Sequence, residues 1–279
     1  MILRSVALAL LLLSSARFAA AQSTVEIAAD TPKGTVYLTA ALHRPSTAEP
    51  RPAVLIMHGC GGVAGSHARW ADVFNGWGYV ALVLDSFGGR GAREVCTGKE
   101  AVEARDRAWD AAAAVSWLRH QSFVLPDRVA LQGHSHGGAS VLFAALRETG
   151  DRRPPPSPQF RAVTSFYPDC TLRGRTTKSF EALVPVQILI GEKDDWTLPE
   201  NCRALLPRLS GKPVDLTVYP DAYHGFDSVG SKPRYREEVR NRNKPGGCCG
   251  ALVCYNEPAY RASVQKIRDF LQAELGGGR

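Results

Sequence analysis

After residue 21, the sequence has no apolar run long enough to span a membrane as a helix. It also lacks internal repeats and any shift in composition that would mark a domain boundary. The formal net charge is +7, but no basic stripe is interleaved with aromatic residues, so a nucleic-acid site is not expected. None of the seven cysteines forms a Cys-x-x-Cys pair. A zinc site is therefore not predicted, nor any other metal or cofactor.

The first 21 residues have the composition of a secretory signal peptide. The basic residue Arg4 precedes an apolar run from Val6 to Leu13, and three alanines end at Ala21. This order predicts cleavage after Ala21 and a secreted or periplasmic mature protein. The apolar run is too short for a permanent membrane helix, so a tethered N-terminus is the less favoured alternative.

Residues 22–279 alternate between apolar runs and helical patterns, which predicts one α/β domain with no internal division. The predicted strands share short apolar or alternating runs and cover 24–29, 35–42, 53–57, 79–84, 129–131, 160–167, 186–190 and 214–219. The predicted helices cover 67–76, 101–120, the stretch from the elbow to 146, 199–209 and 259–275. We expect a doubly wound, mostly parallel sheet with helices on both faces and ligands at the carboxyl ends of the strands.

The stretch Gly133-His-Ser-His-Gly137 lies between an apolar strand and a small-residue helix. This is the setting of a nucleophile elbow, in which glycines on either side permit a tight turn that exposes the Ser135 hydroxyl. The following helix directs its N-terminus toward negative charge that develops at the serine. Ser135 is the predicted nucleophile.

A serine nucleophile needs a histidine base, which follows it in the chain on this fold. His136 lies on the elbow itself and points along the helix, so it is not a suitable base for the neighbouring hydroxyl. His224 comes directly after the last predicted strand and is followed by a glycine. We therefore predict His224 as the base.

The acid that orients His224 should follow the penultimate strand. Asp194 and Asp195 both lie in that loop, and Asp194 is preferred because its position in Gly-x-x-Asp places it at the strand end. Asp195 is the alternative, with a possible role in capping the next helix. Asp169, one strand earlier, is a more distant candidate, and Asp221 is interpreted as a turn residue.

Acyl transfer also needs hydrogen-bond donors for the oxyanion. One predicted donor is the backbone N–H of His136, the residue after the nucleophile. The second is expected from the glycine-bearing loop His58-Gly-Cys-Gly-Gly62, with the Cys60 N–H preferred and Gly61 as the alternative.

Five stretches together resemble the dienelactone hydrolase family of α/β-hydrolases, and in particular its exported serine members. They are His58-Gly-Cys-Gly-Gly62, Asp85-Ser-Phe-Gly-Gly-Arg-Gly91, Gly133-His-Ser-His-Gly137, Gly191-Glu-Lys-Asp-Asp-Trp196 and His224-Gly-Phe226. The resemblance covers most of the predicted mature chain. It implies the α/β-hydrolase fold, with Ser135 as nucleophile, Asp194 as acid and His224 as base.

The sequence departs from the family's namesake at two positions that matter. The namesake uses a cysteine nucleophile held by a glutamate, whereas this chain has Ser135 and a loop, Gly59-Cys60-Gly61, with no carboxylate. Dienelactone is therefore not implied as the substrate. Arg90 is a candidate for binding a substrate carboxylate, and a structural salt bridge is the equally weighted alternative.

The cysteines of an exported chain are expected to form disulfides, with at least one thiol left over among seven. Cys170 and Cys202 are predicted at the same edge of the sheet and are the preferred pair. Cys248 or Cys249 with Cys254 is the other candidate pair.

The polar segment 228–257 contains three cysteines and either overhangs the pocket or forms a pinned surface loop; no large lid is expected. The sequence as a whole predicts a secreted serine hydrolase that cleaves small carboxylic esters or lactones through an acyl-enzyme, with no nucleic-acid partner and no permanent membrane anchor. The alternatives are a peptidase or amidase on the same fold and a non-catalytic binding protein. The sequence does not specify an oligomeric state.

Overall fold

The computed structural model describes residues 21–99, 101–151, 159–173, 175 and 177–276. An eight-stranded sheet in the order β1-β2-β4-β3-β5-β7-β9-β11 forms its centre. The strands are β1 (Ala21–Thr31), β2 (Gly34–Arg44), β3 (Arg51–Met57), β4 (Val80–Asp85), β5 (Val124–His134), β6 (Leu146–Glu148), β7 (Ala162–Phe166), β8 (Phe180–Ala182), β9 (Val186–Gly191), β10 (Leu209–Gly211), β11 (Val214–Tyr219), β12 (Arg234–Arg236) and β13 (Ala251–Val253).

Strands β1 and β2 form an antiparallel hairpin that pairs antiparallel with β4, and every other pairing in the large sheet is parallel. This arrangement confirms the predicted doubly wound sheet. The inner parallel strands are apolar and buried along their length, as expected where helices cover both faces of a sheet.

Five α-helices pack on the sheet: α1 (Gly65–Gly76), α2 (Asp106–Arg119), α3 (His136–Ala145), α4 (Pro199–Leu205) and α5 (Glu257–Leu275). Helices α2 and α3 pack against each other. Helices α1 and α5 also meet, with the rings of Trp70 and Tyr260 5.9 Å apart between centroids. Asn256 caps α5 by accepting a hydrogen bond from the Ala259 N–H.

The strand register gathers the loops of interest at one edge of the sheet. Met57 at the end of β3 is paired with Gly133, two residues before Ser135. Gly191 at the end of β9 is paired with Tyr219 at the end of β11. The loops that follow β3, β5, β9 and β11 therefore leave the sheet side by side.

The structure differs from the sequence-based expectation in three places. Helix α2 begins at Asp106 instead of 101, because Val102 and Ala104 are buried in an irregular segment that closes the wall of a cavity. A small sheet of β6, β8 and β10 was not predicted. The segment 228–257 contains the hairpin β12–β13, also not predicted, since three-residue strands are too short to show a reliable period.

The predicted signal peptide lies outside the described residues, except for Ala21 at the start of β1. Among the helices that the structure describes, none is both long and apolar enough to cross a membrane.

Candidate active site

Ser135 occupies a strained turn between β5 and α3, with φ 53° and ψ −113°. A Cβ atom at Gly133 would lie 2.2 Å from the Gly137 carbonyl oxygen, and one at Gly137 would lie 2.3 Å from the Met57 carbonyl oxygen. Both glycines are therefore required by close backbone approach. The turn places the Ser135 side chain in the wall of a cavity.

His224 lies between Ser135 and Asp194. Its Nε2 is 2.9 Å from Ser135 Oγ, and its Nδ1 is 2.8 Å from Asp194 Oδ2. His224 and Asp194 are buried. With Nδ1–H donating to the carboxylate, Nε2 is free to accept the serine proton, which is the geometry that general-base activation of a hydroxyl requires.

Asp194 is held in place by its own loop. Oδ1 accepts hydrogen bonds from the backbone N–H groups of Trp196 and Thr197, at 3.0 and 2.9 Å, and Oδ2 accepts one from Thr197 Oγ1 at 3.0 Å. These hydrogen bonds fix the orientation of the carboxylate and leave Oδ2 facing His224. Sequence analysis did not assign a role to Thr197, although its position three residues after Asp194 is the usual spacing for a local turn.

The other three aspartates that were considered as the acid make different contacts. Asp195 Oδ1 accepts from the Leu252 N–H at 3.0 Å. Asp169 Oδ1 accepts from the backbone and hydroxyl of Thr171, and Asp221 forms an ion pair with Lys193. None of the three has a hydrogen bond to His224 within the part of the chain that the structure describes.

Cys60 and His136 line the same cavity as Ser135. In the described residues, neither backbone N–H is donated to another backbone group, so both are available to a ligand. A Cβ at Gly59 would lie 3.5 Å from Ser135 Cβ, which shows how closely the loop after β3 approaches the elbow. Gly61, the alternative donor, is exposed.

Two disulfides flank this site. Cys170 is joined to Cys202 with Cα atoms 4.9 Å apart, which ties the start of α4 to the loop after β7. Cys60 is joined to Cys96, also with Cα atoms 4.9 Å apart, a pair that sequence analysis did not propose. The other predicted pairing, Cys248 or Cys249 with Cys254, is not present, because Cys254 is a free thiol.

The cavity at Ser135 has a volume of about 510 Å³. Part of its wall is formed by a segment that we call the strap, residues 228–257, through Arg240, Arg242 and Asn243. The strap is fixed to the acid loop, since the buried Asn241 donates to the Asp195 carbonyl at 2.9 Å. Of the two roles considered for this segment, the structure shows that it borders the cavity.

Arg90 does not line the cavity. Its guanidinium makes a bidentate salt bridge with the buried Asp110, at 2.7 and 2.9 Å, and donates to the Ser86 carbonyl oxygen at 2.7 Å. The structure therefore corresponds to the salt-bridge alternative for Arg90, and we do not retain a substrate-binding role for it.

Two aromatic rings enclose His224 that the sequence analysis did not assign to the site. The Tyr167 ring lies 4.5 Å and the Trp196 ring 4.8 Å from the imidazole, between centroids. Tyr167 OH donates to the buried carboxylate of Asp227 at 2.6 Å. Burial and the negative charge of Asp227 raise the pKa of Tyr167 well above its usual range, so it is a neutral wall of the site.

Comparison with known proteins adds a family assignment. The model of the dienelactone hydrolase family matches residues 38–275. An uncharacterised protein of Mycobacterium tuberculosis is 28% identical over 191 residues, which cover 62% of this chain and 63% of that protein. The chain thus aligns with less than two thirds of that relative.

Two further proteins are similar over longer parts of their own chains. A Bradyrhizobium protein named "Probable 2-oxo-3-(5-oxofuran-2-ylidene)propanoate lactonase" is 25% identical over 201 residues, covering 66% of this chain and 77% of the relative. The structure of a thermophilic esterase from Thermogutta terrifontis superposes with a TM-score of 0.59 at 20% identity, covering 85% of this chain and 88% of the esterase. The second likeness concerns the fold alone.

Proposed function

The chain belongs to the dienelactone hydrolase family, and on that basis we propose that it is a secreted serine hydrolase that cleaves small carboxylic esters or lactones. The observation that carries this proposal is the continuous hydrogen-bonded series from Asp194 through His224 to the Ser135 hydroxyl. The series ends in a cavity large enough for a small ester.

In the first half of the proposed reaction, Ser135 Oγ attacks the substrate carbonyl carbon while its proton moves to His224 Nε2. The carbonyl oxygen becomes an oxyanion that accepts hydrogen bonds from the backbone N–H groups of Cys60 and His136. Asp194 stabilises the imidazolium through Nδ1–H. His224 then gives its proton to the leaving alkoxide, and the C–O bond breaks to leave an acyl-enzyme; in a lactone, the alcohol stays attached to the acyl group.

In the second half, a water molecule takes the place of the alcohol. His224 Nε2 accepts a proton from that water as its oxygen attacks the acyl carbon, and the same two N–H groups again stabilise the oxyanion. Collapse releases the carboxylic acid and returns the proton to Ser135 Oγ. Because His224 and Asp194 are buried, each proton transfer is local to the cavity.

Secretion is proposed from the N-terminal sequence, and the disulfide-rich site is consistent with an oxidising compartment. Expression of the full chain in a bacterial host followed by N-terminal sequencing of exported material should give Gln22 as the first residue. Accumulation of uncleaved protein in the cytoplasm would contradict this part of the proposal.

Hydrolysis is tested by assaying purified mature protein on matched p-nitrophenyl esters and p-nitroanilides, together with a panel of lactones. We expect turnover of esters or lactones, with anilides slower by orders of magnitude. Preference for the anilides would favour a peptidase or amidase. No turnover of any ester or lactone, together with no modification of Ser135 by a fluorophosphonate, would favour a binding protein.

A further inference from the structure

Arg107 is a fully buried cation on α2 that the proposed chemistry does not use. Among the described residues it has no carboxylate within salt-bridge distance, since both oxygens of the nearby Asp110 are bonded to Arg90. Burial lowers the pKa of Arg107 to about 9, partly offset by the negative charge of Asp110. A buried cation without a direct ion pair is costly, so its hydrogen bonds need an explanation.

The two terminal nitrogens of Arg107 contact the two loops that carry the proposed oxyanion donors. Nη2 donates to the His58 carbonyl oxygen at 2.8 Å, on the loop after β3. Nη1 donates to His136 Nδ1, also at 2.8 Å, on the elbow. The planar guanidinium therefore bridges the loops at a fixed separation, which the point charge of a lysine does not reproduce.

On the first loop, His58 transmits this constraint to Cys60. Its Nε2 accepts from the Ser86 N–H at 3.2 Å, so Nδ1 carries the proton and donates to the Gly59 carbonyl oxygen at 2.7 Å. Burial and the charge of Arg107 hold the pKa of His58 well below its usual range, which keeps this neutral tautomer. The Gly59 carbonyl belongs to the peptide whose N–H is that of Cys60, and a hydrogen bond at one end polarises the other.

On the elbow, His136 lines the cavity and supplies the second proposed oxyanion donor through its own backbone N–H. Nδ1 of His136 accepts from Arg107, and Nε2 lies 3.3 Å from Nη2 of Arg173. Burial, Arg107 and Arg173 together hold the pKa of His136 well below its usual range. The side chain is thus a fixed, neutral acceptor for Arg107.

We propose that Arg107 is the positioning residue of the oxyanion hole: its guanidinium joins His58 to His136 and thereby sets the spacing of the Cys60 and His136 N–H groups. This inference rests on the proposed function. It assigns Arg107 no contact with substrate; the residue acts through the two loops. Donors that are fixed before the reaction stabilise the transition state more than the ground state, so the effect should appear in kcat.

The test compares Arg107→Lys with Arg90→Lys. Both substitutions keep a positive charge near Asp110 and remove a guanidinium fork, but only Arg107 touches the oxyanion loops. We expect Arg107→Lys to lower kcat by about 10- to 100-fold, somewhat less than loss of a whole donor, with KM within about threefold. Arg90→Lys should keep kcat within about threefold at a comparable melting temperature.

Substitutions at His136 distinguish the loss of its contact with Arg107 from a general loss of stability. Asparagine places its side-chain oxygen the same number of bonds from Cα as His Nδ1, so His136→Asn should lower kcat less than His136→Leu, which should lower it about as much as Arg107→Lys. The double variant Arg107→Lys/His136→Leu should be little worse than either single variant, because both remove the same constraint.

The wild-type protein is the reference for testing both the proposed function and the role of Arg107. Ester turnover and Ser135 labelling in the wild type, together with undiminished kcat in Arg107→Lys, would overturn the role of Arg107 and leave the proposed function intact. Equal losses of kcat in Arg107→Lys and Arg90→Lys, in proportion to a loss of stability, would overturn it as well. Absence of turnover and labelling in the wild type would overturn the proposed function and this inference with it.

Discussion

The described residues include two buried histidine–carboxylate pairs, His224–Asp194 and His134–Asp227, and Asp227 lies three residues after His224 in the sequence. His224 Nδ1 lies 2.8 Å from Asp194 Oδ2, and His134 Nε2 lies 3.1 Å from Asp227 Oδ2. The second nitrogen of His224 meets Ser135 Oγ in the cavity, whereas His134 Nδ1 is buried without a hydrogen-bond partner in the described residues. We propose that a buried histidine–carboxylate pair becomes catalytic only where the second ring nitrogen reaches a hydroxyl, as it does at His224.

The surroundings of the two carboxylates support this division of roles. Asp227 also accepts from Trp70 Nε1 at 2.8 Å and Tyr167 OH at 2.6 Å. Burial by itself raises the pKa of Asp227, but the neighbouring His134 and these hydrogen bonds lower it to about 2. Asp227 is therefore an ionised carboxylate that links α1, β5 and the loop after β7. Asp194 instead accepts a hydrogen bond from His224.

The largest expected effect comes from removing the nucleophile that distinguishes the two pairs. Ser135→Ala should lower ester hydrolysis at least about a thousandfold, because the Ser135 hydroxyl lies at Nε2 of His224, whereas the Thr197 hydroxyl contacts only Nδ1, the nitrogen that faces Asp194. The fold should persist, since alanine fits the elbow. Steady-state kinetics with circular dichroism tests this; residual activity above about a thousandth would place the nucleophile elsewhere.

Asp194→Asn should have the next largest effect, lowering kcat by about 10³- to 10⁴-fold, because an amide would favour the wrong His224 tautomer. The matched control is Asp195→Asn. Asp195 contacts the strap at Leu252 and Lys244, so this change should cost only a few-fold. Kinetics on both variants checks the assignment, and the reverse ranking would move the acid by one residue.

Asp227→Asn should produce the opposite pattern, with kcat within about tenfold of wild type and a loss of about 2–4 kcal/mol in the free energy of unfolding. An amide nitrogen cannot accept the hydrogen bonds that a buried carboxylate oxygen accepts from Trp70, Tyr167 or His134. Urea denaturation and kinetics on the same preparation measure both quantities. A stable variant with severely reduced kcat would contradict the structural role of Asp227.

Removal of the Cys170–Cys202 disulfide should mainly affect stability. By the chain-entropy estimate, the paired Cys170→Ser and Cys202→Ser substitutions should cost about 3–4 kcal/mol, while activity at 25 °C changes less than in Asp194→Asn. Non-reducing peptide mapping of the wild type provides the control. If both thiols are free in exported protein, the acid loop is held by packing alone.

Acidification should destabilise the protein gradually, even before Asp227 titrates. Burial lowers the pKa of His67 from 6.5 to about 3, with the nearby His134 contributing, and His58 and His136 are also depressed. Below pH 6.5 the unfolded chain binds protons that the folded state does not bind. The free energy of unfolding therefore falls as the pH falls, by up to about 1.4 kcal/mol per pH unit for each such histidine.

Asp227→Asn provides a control for the pH dependence. The folded pKa of Asp227 is about 2 and its ordinary value 3.8. The stability that the ionised Asp227 contributes to the folded state is therefore fully present above about pH 4 and is lost as the pH falls toward 2. Between pH 6.5 and 4, the melting temperature of the variant should change with pH as steeply as that of the wild type. Below pH 4, it should change less steeply than that of the wild type. A changed slope above pH 4 would contradict this assignment.

Local patterns in the sequence were sufficient to predict the sheet, and they also select the residues of the proposed triad, which the structure brings together. The turn around Ser135, the aspartate after β9 and the histidine after β11 each follow a strand with a recognisable spacing. Because parallel strands end at one edge, their convergence could be expected from chain order alone.

The supporting residues could not be predicted in this way. Arg107 lies 29 residues from His136 and 49 from His58, within an alanine-rich helix whose pattern gives no sign of a buried cation. The Asp227–Trp70 hydrogen bond spans 157 residues. Contacts of this kind depend on how helices pack on the sheet, which a single sequence does not show. The hairpin of the strap was missed for a different reason, the shortness of its strands.

Covalent labelling tests most directly whether His224, and not the other buried histidine of the described residues that pairs with a carboxylate, activates a nucleophile. Wild-type protein, Asp194→Asn and Asp227→Asn would each be treated with a fluorophosphonate, and the modified residue located by peptide mass spectrometry. We predict modification of Ser135, at a rate that falls sharply in Asp194→Asn and stays near the wild-type value in Asp227→Asn. Modification at another residue, or loss of labelling in Asp227→Asn but not in Asp194→Asn, would contradict the account.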